Sequence, residues 1–147
     1  MKNKVYTLGY EKKSINEFIE ILQRAKIKIL IDVRETAWSY KRDFCKTKFN
    51  EALERNGITY VHIRKAGNPK KIRRNSTSIQ GCLNVYRKYL YKTKAGIEDL
   101  ENILVAANLE GEAVCLTCYE KDHVNCHRSI ITDCLKDTHS TLNICHL

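Results

Sequence analysis

The chain has 147 residues, of which 43% are hydrophobic and 29% charged, and its formal net charge is +9. That length suits one folded unit with a core that needs no metal or disulfide support. No run of about 18 apolar residues is present to span a membrane, and the charge favours an anionic partner such as nucleic acid, a phosphorylated metabolite or an anionic surface.

The opening MKNKVYTLGYEKK lacks an apolar signal core, which predicts no export and a cytoplasmic location. VYTLGY reads as a first strand that breaks into a turn at Gly9. Ser14 then starts a capping box with Glu17, and Ile15, Phe18, Ile19, Leu22 and Ala25 follow at helical spacing. IKILIDVR is apolar on both faces before Asp32, as in the middle of a parallel sheet. ETAWSYKRDFCKT is a polar loop, and KFNEALERNG is a short helix stopped by Gly57. ITYVHI is a third strand, and RKAGNPKKIRRNS is a loop with six basic residues and no acid. Two helices follow, one with Ile79, Leu83, Tyr86 and Leu90 on its face, the other with Ile97, Leu100, Leu104 and Ala107. EAVCLTC is the fourth strand, HRSIITDCLK a helix burying Ile130, Ile131, Cys134 and Leu135, and TLNICHL a fifth strand.

This alternation predicts an α/β fold: a single-domain three-layer sandwich over residues 1–147, with a mainly parallel five-stranded sheet and helices on both faces. Ligands of such sheets bind at the carboxyl ends of the strands. Following each strand to its exit gives Gly9, Tyr10 and Glu11; Asp32, Val33 and Arg34; Arg64; and Cys118, Tyr119 and Glu120. Polar exits on apolar strands predict one shared crevice, against the plain alternative that strand ends simply meet water. Asp32 and Arg34 share one face of an extended strand. They form either an internal ion pair or an arginine fork that Asp32 aims at a phosphate or carboxylate.

The stretch CYEKDHVNCHRS joins the fourth strand to the last long helix. The free N–H groups of a helix start attract anions. Arg128 adds a charge, Ser129 a hydroxyl, His127 a proton-transfer group, and Cys126 a thiol whose pKa that field lowers. The competing reading has Asn125 as a helix cap and Arg128 over a carboxylate. The seven cysteines are an odd number, and Cys82, Cys115, Cys134 and Cys145 sit at apolar positions, which reads as reduced thiols in a reducing compartment. Cys115, Cys118, Cys126 and His127 resemble a zinc-ligand set. Strand alternation puts Cys115 and Cys118 on opposite faces, however, and Cys126 and His127 are adjacent, so no metal and no cofactor is expected. No cysteine stands six residues before Arg128 or Arg34, which excludes a Cys-x5-Arg phosphatase loop. A redox pair of Cys118 and Cys126 stays open.

Taken in order, TLGY, LIDVR, GITYVHI, AGNPKK and CLTCYEKDHVNCHRSIITDCL resemble the family catalogued as domain of unknown function 488. The resemblance spans nearly the whole chain. It implies a compact α/β protein of prokaryotic type with Gly9, Asp32, Arg34, Glu120, Cys126, His127 and Arg128 at the motif positions, and it supplies no reaction. Tyr10 and Glu11 stand where many relatives read His-Ser, which removes an imidazole and a hydroxyl from the crevice. Ala66 replaces a leucine common before the Gly-Asn-Pro.

Three functions compete. As an enzyme, a hydrolase or transferase on a nucleotide-like or phosphorylated substrate, the chain uses Glu120 and His127 as acid and base and Cys126 or Cys118 as nucleophile. Gly9, Tyr10, Asp32, Arg34, Arg128 and Ser129 then hold the anion. As a nucleic-acid-binding accessory protein it uses Arg64, Lys65, Lys70, Lys71, Arg73 and Arg74. A second basic stretch, Lys41, Arg42, Lys46 and Lys48, adds Trp38, Tyr40 and Phe44 for stacking. The third reading is a thiol redox, metal or haem module.

Overall fold

The computed structural model describes residues 3–147. Five strands, β1 (Lys4–Gly9), β2 (Ile27–Asp32), β3 (Thr59–His62), β4 (Ala113–Cys118) and β5 (Asn143–His146), form one sheet in the order β3-β2-β4-β1-β5. Every pairing is parallel. β4 lies at the centre and is buried along nearly its whole length, as its apolar sequence requires.

Helices cover both faces. α1 (Ile15–Arg24) starts at the expected capping box, with Ser14 accepting from the Glu17 N–H and Glu17 accepting from the Ser14 N–H. α1 and α2 (Lys46–Arg55) bury Phe18, Leu22, Phe49 and Leu53 against the sheet face that carries Leu30 and Cys115. Burying a side chain of this size contributes about 1.5–3 kcal/mol. α2 ends at Gly57, whose φ of 73° is the left-handed stop the sequence predicts. α3 (Lys70–Arg74), α4 (Ile79–Thr93), α5 (Ile97–Leu109) and α6 (His127–Thr138) follow in the chain. α4, α5 and α6 pack on the other face, against Ile31, Val33, Leu116 and Cys118.

Two local expectations change. The basic loop is not a loop throughout: Arg64–Ala66 is a 3-10 turn, and Lys70–Arg74 is the short helix α3. Ile79 does not join the core; at 59% exposure it opens onto solvent at the start of α4.

The strand order places a site. The helices after β1 and β2 lie on one face and those after β3 and β4 on the other. β2 and β4 are neighbours, and the chain leaves β2 towards one face and β4 towards the other. This divergence opens a crevice beyond their carboxyl ends.

Candidate functional site

A cleft of about 650 Å³ occupies that crevice, within the range of small-molecule sites. Arg34 and Glu35 enter it from β2, and Asn68, Lys70 and Arg73 from the segment after β3. Ser76, Thr77 and Ser78 come from the start of α4, and Glu120, Asn125 and His127 from the connection after β4. Trp38, the single tryptophan, stands at the rim, 56% exposed.

Arg34 is the best-fixed cation. Its Nε donates to Asp32 Oδ1 at 2.8 Å, its Nη2 to Asp32 Oδ2 at 2.6 Å, and its Nη1 to Tyr10 Oη at 3.1 Å. Tyr60 Oη donates to Asp32 Oδ2 at 2.6 Å. Burial alone would lower the guanidinium pKa, but the hydrogen bonds and charge of Asp32 outweigh it and raise the value. Burial, then Asp32, raises the Tyr60 pKa, so Tyr60 stays a donor. Each terminal nitrogen of an arginine carries two N–H groups, and here each donates to one protein acceptor, leaving one N–H apiece uncommitted among the described residues, on a residue that lines the cleft. Asp32 and Arg34 thus form the internal ion pair, the first of the two readings.

Behind Arg34, Gly67 lets the chain after β3 close on β2. A Cβ there would lie 2.2 Å from the Glu35 nitrogen. Glu35 in turn accepts from the Lys70 N–H and from Arg73 Nη2. Arg73 Nε donates to the Asn68 carbonyl. Asn68 is 8% exposed; its Nδ2 donates to Cys82 Sγ, and its Oδ1 has no partner among the described residues.

On the β4 side the residues divide. Glu120 lines the cleft, and burial raises its carboxyl pKa. His127 Nε2 lies 2.7 Å from the Val33 carbonyl. A carbonyl only accepts, so Nε2 carries the proton and Nδ1 the lone pair. Burial lowers the ring's pKa to about 4, so His127 is neutral. The Tyr86 ring meets it edge-on at 5.3 Å, and Tyr86 is held by its own bond to the Ala66 carbonyl.

Arg128 is 1% exposed and is absent from the cleft wall. Its Nη1 donates to the Glu120 carbonyl at 2.5 Å and its Nη2 to the Lys121 carbonyl at 3.2 Å. It braces the turn after β4 and does not line the cleft. The expectation that it lies over a carboxylate also changes, because its partners are two backbone oxygens and, at 3.2 Å from Nη1, Cys118 Sγ. Gly9 lies against the same turn: a Cβ on it would sit 1.7 Å from the Glu120 oxygen. Ser129 Oγ donates to the Cys126 carbonyl. Tyr10 is 2% exposed and stacks on Phe44 at 4.5 Å. Gly9, Tyr10 and Ser129 thus support the site from behind.

Cys118 and Cys126 are joined as a disulfide, while Cys45, Cys82, Cys115, Cys134 and Cys145 are free. In this state neither bonded sulfur is a thiol nucleophile, which changes the role expected for both. Cys115 lies on the opposite sheet face from Cys118, as strand alternation requires. Among the described residues, the cluster with metal-ligand spacing is Cys118, Cys126 and His127.

The basic segment stays exposed at Arg64, Lys65, Lys70, Lys71, Arg73 and Arg74. The second basic stretch is altered. Phe44 is 1% exposed and belongs to the core, and Lys41 donates to the Tyr10 and Lys13 carbonyls. Trp38 and Tyr40 remain outside. Sequence reasoning missed Tyr60, Asn68, Tyr86 and the Ser76–Ser78 hydroxyls. A run of three small hydroxyl residues ahead of a helix was the one available signal.

The fold and this strand-exit cleft define a three-layer α/β protein with its crevice between β2 and β4. The family model described as domain of unknown function DUF488 matches residues 14–135, and the chain belongs to that family. No curated protein and no solved structure matches it.

Proposed function

We propose that the protein binds a phosphorylated, nucleotide-like ligand in the cleft between β2 and β4. The observation that carries this reading is the fork of Arg34, held by Asp32 at the crevice with two of its five N–H groups uncommitted among the described residues. Around it stand Lys70, Arg73, the hydroxyls of Ser76, Thr77 and Ser78, and the first N–H groups of α4. Arginine forks suit phosphate oxygens in two-point contact, and helix starts add N–H donors. Trp38 at the rim offers a face for a base. Asn68 donates through Nδ2 to Cys82 Sγ, and its Oδ1, without a partner among the described residues, is left as an acceptor.

The exposed basic residues of α3 extend the cleft's positive border along the surface, which favours a phosphate carried on a nucleic-acid strand as a second form of the same ligand chemistry.

Trp38 emission provides the test. Inorganic phosphate and a nucleoside monophosphate are titrated into wild type and Arg73→Ser. Saturable quenching by the nucleotide, competed by phosphate and at least tenfold weaker in Arg73→Ser, is expected from loss of one charged hydrogen bond of about 1.5–3 kcal/mol. No saturable response, confirmed by calorimetry, overturns the reading.

A further inference from the structure

The disulfide lies among groups that a disulfide does not need. Cys118 Sγ, Cys126 Sγ and a ring nitrogen of His127 all fall within 4.8 Å of one another, and all three residues are buried. His127 Nδ1 is 3.8 Å from Cys126 Sγ, and Glu120 Oε2 is 3.7 Å from Cys118 Sγ. We propose that the reduced protein binds one thiolate-preferring divalent cation, of the Zn²⁺ class, through Cys118, Cys126 and His127, with the adjacent Glu120 carboxylate, which lies outside that 4.8 Å cluster, turning in as the fourth ligand.

The distances suit that ion. With Zn–S about 2.3 Å and Zn–N or Zn–O about 2.1 Å, neighbouring ligand atoms of a tetrahedral site lie about 3.6 Å apart. The histidine is already set in the right tautomer: Nε2–H is committed to the Val33 carbonyl, so the Nδ1 lone pair faces the sulfurs. Ligating histidines are commonly fixed in this way. Adjacency of Cys126 and His127 is no obstacle. Cys126 is the extended N-cap, at φ −129° and ψ 143°, and His127 is the first helical residue, so the break in backbone turns both side chains to one point. The Cα atoms of the two cysteines are 7.5 Å apart, wider than the roughly 4.4–6.8 Å usual for a disulfide. The backbone therefore leaves room for the sulfurs to stand on either side of an ion.

Charge also balances. Two thiolates and one carboxylate around a divalent cation leave one negative charge. Arg128 supplies the opposite charge, with Nη1 3.2 Å from Cys118 Sγ. Glu120 and His127 line the cleft and so provide the entry path. Cys115, on the other sheet face, takes no part.

The site forms by a balanced exchange. A dithiol reductant gives two electrons and two protons, the Cys118–Cys126 bond breaks, two thiols form, and the reductant becomes a disulfide. Binding of the cation then releases the two thiol protons to solvent. The site uses none of Lys70, Arg73 or the α4 hydroxyls, so it stands independently of the phosphoryl reading.

The test uses the full chain, reduced with a phosphine and kept free of oxygen, titrated with Co²⁺ and then Zn²⁺. One equivalent of Co²⁺ should produce a thiolate-to-cobalt charge-transfer band and tetrahedral d–d bands, and Zn²⁺ should abolish both. Cys118→Ser and Cys126→Ser should each weaken the charge-transfer band and lower affinity at least tenfold, whereas Cys115→Ser should leave both unchanged. Absence of the band in reduced, folded wild type overturns the proposal, whether or not the serine variants fold. So does a band that survives in a folded Cys118→Ser/Cys126→Ser double variant.

Discussion

Asp32 and Arg34, two residues apart at the end of β2, meet through a two-point fork, at 2.8 Å from Nε and 2.6 Å from Nη2, with Asp32 fully buried. A charge held this deep depends on its partner. Asp32→Asn should destabilise the fold by about 3–5 kcal/mol, because the guanidinium is left uncompensated. Asp32→Leu combined with Arg34→Met should cost less than Asp32→Leu alone. Urea unfolding of the variants checks the ordering.

Gly9 is required by close approach, not by an unusual backbone angle. A methyl group would lie 1.7 Å from the Glu120 oxygen and 3.1 Å from Arg128 Nη1. Gly9→Ala should cost about 1–3 kcal/mol, or more, by pushing the turn after β4 outward. Thermal unfolding measures the loss.

Arg128→Ala should act on stability first. It removes charge-assisted bonds to the Glu120 and Lys121 carbonyls, each contributing about 1.5–3 kcal/mol. Arg128→Lys should recover only part of this, since one ammonium cannot reproduce the fork that reaches both carbonyls. Denaturant midpoints for the two variants, compared with wild type, decide it.

Lys71 and Arg74 on α3 are exposed and have no side-chain hydrogen bond among the described residues. If they meet nucleic-acid phosphates, replacing both with serine should reduce the salt dependence of binding by about 0.7–0.9 for each phosphate no longer neutralised. Fluorescence titration of a labelled oligonucleotide at several salt concentrations gives the slope. An unchanged slope leaves the segment a solvated surface.

His146 stacks on His123 at a centroid distance of 3.6 Å, and its Nδ1 lies 2.5 Å from Thr7 Oγ1. Burial, then the nearby His123 and Arg128, lowers its pKa from 6.5 to about 4, with Asp133 opposing. Between those values the unfolded chain binds a proton that the folded chain does not. Stability from this group is therefore present above pH 6.5 and falls as pH drops towards 4. His146→Gln should flatten that part of the pH profile. Urea midpoints across the window test it.

The sequence by itself determined the elements. Apolar runs of strand length, the Ser14–Glu17 capping box, the glycine stop at Gly57 and the helical spacing of Phe18, Leu22, Ile130 and Leu135 are local signals, and local chemistry suffices for them. Polar strand exits marked where a site would form, and the block CYEKDHVNCHRS marked its densest part. Only the tertiary structure decided which groups meet. The order β3-β2-β4-β1-β5 brings Arg34 and His127, far apart in the chain, to one cleft, while Arg128, next to His127, is turned into the interior. Spacing along a helix start does not reveal which of two neighbouring side chains faces the crevice, because the packing of α6 on β4 sets that direction. Phe44 reads as exposed beside basic residues but lies in the core, because Tyr10, Phe18 and Phe49 converge on it from three other segments. Long-range pairing chose among the roles these residue types allow, and that pairing has no local signature.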